Sequence, residues 1–150
     1  MINYSAPDLT QHPPRSPRVK LGGFVHLPRL LDKARASLAG KLGEFVFPCP
    51  LDQRFFAFVG FTADALLAEV ASGRSDTEML AWVLANASPS RQSWEITAWS
   101  DYLTALSPGD VKRHAMFAEH IQNLGPGRED IVTYFDRLDL DDYASYGGKG

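Results

Sequence analysis

The chain has 150 residues, 45% of them hydrophobic and 22% charged, with a net charge of −3; that is one globular domain with a core of its own, and it excludes wholesale disorder. No apolar run approaches the about 20 residues of a membrane span, and the opening MINYSAPDLTQ lacks the basic and apolar regions of a signal peptide. The single cysteine, Cys49, excludes an internal disulfide and suits a reducing cytoplasm.

Residues 1–18 contain Pro7, Pro13, Pro14 and Pro17. Proline lacks an amide donor and biases the residue before it away from helix, so this stretch is expected to be an extended arm, anchored by Leu9 and Val19. Gly22-Gly23 marks a turn. Pro28 suits a first helical position and Gly40 a stop, which predicts a helix from Pro28 to about Ala39. Leu27, Leu30, Leu31, Ala34 and Leu38 fall on one face of it, with Arg29 and Lys33 on one polar flank and Arg35 on the other. Phe45-Val46-Phe47 reads as a minor strand or a buried loop, ended by Pro48-Cys49-Pro50. A short helix then runs from Leu51 to Val59, with Leu51, Phe55, Phe58 and Val59 inward.

Further on, Thr62 caps a helix to about Ala71. Ser75-Asp76-Thr77-Glu78 is a capping box opening a helix to about Asn86, with Met79, Leu80, Trp82 and Val83 inward. Ser90 or Ser93 starts a helix carrying Trp94, Ile96, Trp99, Tyr102 and Leu103, whose aromatic residues read as core. Another spans Asp110 to about Asn123, and a last one begins near Arg128. The sequence therefore predicts an all-α fold: a compact single-domain bundle of about six or seven helices over residues 19–143, with the N-terminal arm, at most a minor hairpin near Phe24 and Phe45, and a flexible tail over 144–150. No βαβ alternation is present, which argues against a nucleotide-binding parallel sheet.

Charge is unevenly spread. Residues 1–60 carry eight Lys/Arg against four Asp/Glu, and residues 61–150 carry seven against fourteen. Either the molecule has a basic and an acidic face, or its halves pack together through their charges. Arg15 and Arg18 on the stiff arm have the fork that suits phosphate and carboxylate; they either clamp an anion or pair with the acidic run Asp136, Asp139, Asp141 and Asp142. His26 lies just before a helix N-terminus, which attracts anions, and Arg29 and Lys33 follow one and two turns in. Asp52 falls inside the phenylalanine-rich arc of its helix, where a carboxylate needs a partner; it is either a general base or ligand contact, or a cap or arginine partner. Cys49 would need an imidazole beside it to act as a nucleophile, and none is near in sequence, so an inert thiol is the expectation. His114 and His120 are six apart and cannot share a metal as an i, i+4 pair does; His114 is expected to face the core. No metal or cofactor motif appears.

The residues RSPRVKLGGFVHLPRLLDKARASLAGKLGEF, CPLDQRFF and TYFDRLDLDD resemble, in combination, the bacterial family of domains of unknown function numbered 5069, over about Asp8 to Asp142. The resemblance implies a compact, mainly helical bacterial protein that stands alone. It brings no substrate, cofactor or catalytic residue with it.

The leading functional expectation is a small cytoplasmic binding module for an acidic small molecule or an acidic partner segment, engaged by Arg15, Arg18, His26, Arg29, Lys33 and Asp52. A second is a small-molecule enzyme, which requires His26 or His114 to meet Asp52, Glu44 or Cys49 in one place. A third is an oligomerisation or structural domain, for which a homo-oligomer is the partner. The acidic balance and the absence of a binding motif disfavour nucleic acid.

Overall fold

Gly22 and Gly23 set the first feature of the fold. In the computed structural model, which describes residues 5–148, both have left-handed backbone (φ 57° and 84°), which glycine adopts without a side-chain clash. The chain reverses there, so β1 (Lys20–Leu21) and β2 (Phe24–Val25) pair antiparallel, Lys20 opposite Val25 and Leu21 opposite Phe24. Seven helices follow: α1 (Leu27–Leu38), α2 (Pro50–Val59), α3 (Ala63–Ala71), α4 (Asp76–Asn86), α5 (Ser93–Ala105), α6 (Val111–Leu124) and α7 (Tyr134–Ser145). The fold is all-α with a minor hairpin. Among the described residues, no helix is long and apolar enough to cross a membrane.

Local chemistry explains most boundaries. Thr62, Ser75, Asp110 and Thr133 each accept an amide of the first helical turn, and Glu78 and Asp136 bond back to complete capping boxes. Ser100 of α5 holds the hairpin: its hydroxyl donates to the Gly23 carbonyl (2.7 Å) and accepts from the Val25 amide (3.1 Å). The main core joins Phe24 and the Leu27, Leu30, Leu31 and Ala34 face of α1 to Phe55, Val59, Leu66, Met79, Val83 and Ile96. A smaller cluster of Phe117, Ile121 and Leu140 joins α6 to α7.

Helix α1 is the centre of the molecule. Ten of its twelve residues are buried, including Arg29, Asp32, Lys33 and Arg35. The expected polar flanks are thus interior, because neighbouring segments supply a carboxylate for each cation. The arm lies along α1: the His26 amide donates to the Pro17 carbonyl (2.8 Å), and the Arg15 amide to Asp32 Oδ2 (2.9 Å). Leu9 is buried as expected, whereas Val19 is exposed.

Several expectations are corrected. Phe45 and Val46 are irregular chain between two turns, with Val46 exposed, and β2 pairs instead with Lys20–Leu21, the nearest strand that a two-glycine turn can return to. Leu38, Trp94 and Tyr102 are exposed, because they lie off the faces of their helices that the core covers. His114 is exposed, because α6 buries only Phe117 and Ile121 against α7. The last helix begins at Tyr134 rather than near Arg128, where Arg128 and Asp130 pair within a loop (2.7 Å) and Thr133 provides the cap.

Candidate active site

His26 joins β2 to α1 in left-handed backbone (φ 70°), the one non-glycine among the described residues to do so. A histidine held there stores about 1–3 kcal/mol of strain, and such outliers concentrate at functional sites. Its side chain makes no cap bond to α1 and is 1% exposed. The ring stacks on Phe135 (centroids 6.3 Å apart, 21° between planes), and its Nε2 lies 2.7 Å from Asp52 Oδ1.

Asp52 comes from the first turn of α2. Pro50 opens that helix and Cys49 is its N-cap. The Cys49 amide donates to Asp52 Oδ2 (2.8 Å), and the Asp52 amide donates to Cys49 Sγ (3.4 Å), a capping box in which a thiol replaces the usual hydroxyl. Lys33, from α1, completes the group. Its Nζ donates to Asp52 Oδ2 (2.6 Å), Val46 O (3.1 Å) and Cys49 Sγ (3.2 Å), so all three ammonium protons are used. His26, Lys33 and Asp52 are buried, while Cys49 is partly exposed and brings the cluster to the surface.

The electrostatics follow from this arrangement. Burial pushes the Asp52 carboxyl up, but the hydrogen bond from His26 and the charge of Lys33 outweigh it and hold the carboxyl at about 2. Burial pushes the His26 imidazole below its ordinary value, against the pull of Asp52, whose charge Lys33 already neutralises; Lys33 and Arg29 push the same way as burial. An ionised Asp52 only accepts, so the neutral His26 ring donates from Nε2 and carries its free lone pair on Nδ1. That atom is buried without a hydrogen-bond partner.

His26, Cys49 and Asp52 also offer three ligand atoms within 4.8 Å of one another. The donor set is already matched to a cation of the chain's own: the Lys33 ammonium bonds both Asp52 and Cys49. A metal ion would have to displace it.

The arginines singled out in the sequence lie outside this cluster and are engaged by carboxylates. Arg15 forks onto Asp32 (2.9 and 3.0 Å) and reaches Asp76 (2.8 Å), which Arg35 also bonds (2.8 Å). Arg18 bonds Asp136 and Asp139, and Ser16 bonds Asp139 (2.8 Å). Arg29 pairs with Asp142 (2.6 Å) and faces the ring of Phe45. Asp142 is nonetheless raised above the usual carboxylate range, by burial first and also by Asp141 and Asp139, against the effect of Arg29.

The structure thus brings His26, Lys33 and Asp52 together, and adds Cys49. Reading the sequence passed over Cys49 because the ring near it lies 23 positions away in the chain. One local signal was available: a cysteine before proline, three residues ahead of an aspartate, has the spacing of a capping box. None of the curated proteins matches the chain. The model of a family described as "Domain of unknown function (DUF5069)" matches residues 11–144, and the chain belongs to that family.

Proposed function

We propose that the protein is a small-molecule enzyme that uses Cys49 as a nucleophile, forming a covalent sulfur adduct with an acyl or similarly electrophilic substrate. The observation that carries this reading is the convergence on the sulfur of the partly exposed Cys49 of two N–H donors, the Lys33 ammonium at 3.2 Å and the Asp52 amide at 3.4 Å. Both stabilise negative charge on sulfur, as does its place at the N-terminus of α2. Asp52 is a positioning residue that holds the ammonium, and His26 fixes Asp52 from the other side. A structural role alone would be met as well by apolar side chains, since a buried ion pair adds little net stability. Strain at His26 and its unpartnered Nδ1 point the same way. An anion bound by Arg15, Arg18 and Arg29 would have to displace Asp32, Asp76, Asp136, Asp139 and Asp142, so the geometry favours the enzyme over the binding module. A reducing cytoplasm, which keeps the thiol free, suits this chemistry.

The test is reaction of the native protein with iodoacetamide and with p-nitrophenyl acetate. A partly buried thiol with no activation reacts more slowly than the same thiol in the unfolded chain. Here the native sulfur is expected to react faster than in urea, to give an acetyl adduct and a nitrophenolate burst that Cys49→Ser lacks, and to slow by about tenfold or more in Lys33→Met. Native alkylation slower than in urea, with no burst, overturns the reading.

A further inference from the structure

The same cluster holds a second chemistry, in which the lysine is a reactant. We infer that Cys49 and Lys33 form a modification site, a peroxide-driven sulfur–nitrogen cross-link between α1 and the start of α2. The chain has one cysteine, so a sulfenic acid formed on it has no internal thiol to condense with. The amine held nearest is Lys33 Nζ, 3.2 Å from Sγ and fixed by Asp52 and Val46. Sulfenic acids condense with a nitrogen nucleophile when no thiol is at hand, and a partner fixed at contact distance acts at a very high effective concentration. Cys49 is partly exposed, while Lys33 is buried.

The steps balance with a hydroperoxide as oxidant. Sulfur attacks the terminal peroxide oxygen, the O–O bond breaks, sulfur loses two electrons, and for hydrogen peroxide the leaving hydroxide takes the thiol proton as water. The Lys33 ammonium first loses one proton to solvent, relayed through Asp52, which already bonds it. The neutral amine nitrogen then attacks sulfur, the S–OH bond breaks, and the hydroxyl leaves with a second nitrogen proton as water. The product is a neutral Cys49–Lys33 sulfenamide. The link needs only this geometry; its consequence, a reversibly blocked nucleophile, rests on the catalytic reading above.

The experiment treats the full-length native chain with hydrogen peroxide near equivalence and reads intact mass and a tryptic map. The expected product is lighter than the starting protein by two hydrogens, is resistant to trypsin after Lys33, yields one peptide pair joining the Lys33 and Cys49 segments, and returns to the starting mass with dithiothreitol. Cys49→Ser gives no such species, and Lys33→Arg, which keeps the charge without a reactive amine, gives sulfur oxygenation instead. Oxygen addition to Cys49 with Lys33 still cleavable in the native chain overturns the link, and so does the absence of any reaction with peroxide. The wild-type map decides the matter even where a variant fails to fold. Rapid alkylation without the link defeats this inference alone, whereas the link without rapid alkylation defeats the catalytic reading alone.

Discussion

His26 shows how much one side chain can carry. It takes backbone that suits glycine or asparagine better, its Nε2 is committed to Asp52, and its free Nδ1 is shut away from water. Because burial lowers its folded pKa below the unfolded value of about 6.5, the unfolded chain binds a proton that the native ring refuses. The stability tied to the neutral ring is therefore complete above about pH 6.5 and is lost as pH falls below it. Unfolding free energies from urea titrations between about pH 7.5 and 5.5 should drop towards acid, by up to about 1.4 kcal/mol per pH unit. His26→Asn, which suits the left-handed backbone and does not titrate, should flatten that slope. An equal slope in the variant would place the titration elsewhere. Asp52, held at about 2, adds stability above its unfolded value that disappears only in stronger acid.

At the scale of elements, the position of α2 decides the site, and Gly60 decides where α2 ends. Gly60 has φ 81°, and a Cβ there would fall 2.1 Å from the Ser88 carbonyl oxygen. Gly73 has the same left-handed backbone (φ 82°) with nothing within 4 Å. Gly73→Ala should cost about 1 kcal/mol, the conformational term alone. Gly60→Ala should cost about 2–4 kcal/mol, since a backbone segment must also move; denaturant unfolding of the two variants measures the difference. Much of this level was legible in the sequence. Helices with a polar cap and a breaker, such as Ser75 to Asn86, declare both ends locally. What escaped was decided by coverage. Trp94 and Tyr102 have the residue type and spacing of a core face, yet both stay exposed, with the Arg54 guanidinium reaching the Tyr102 hydroxyl. Phe45–Phe47 has the composition of a strand, yet its hydrogen-bonding partners went elsewhere. Asp52 could be read as an interior carboxylate from its place among phenylalanines, but its pairing with His26 and Lys33 depends on how α1 and α2 cross, which no local pattern states.

The whole molecule closes on its charge asymmetry. The basic N-terminal segment meets acids drawn from α1, α4 and α7, so the two halves hold each other through graded ion pairs. Their worth follows burial. Arg15→Ala leaves Asp32, with no exposed surface, without its bidentate partner, and should cost about 3–5 kcal/mol. Arg18→Ala removes pairs in which every side chain is at least a quarter exposed, and should cost no more than about 1 kcal/mol, vanishing in about 1 M salt. Urea unfolding at low and high salt checks both; equal losses would contradict the grading. Helix α1 lies under these contacts with ten of its twelve residues buried. It has no solvated side to fall back on, so there is no cheap partial opening that bares Lys33 while the remainder stays native. Exposure of that helix and cooperative loss of the fold become one event, with one free energy. In the native state the cluster then meets solvent through the partly exposed Cys49 rather than through a movement of α1.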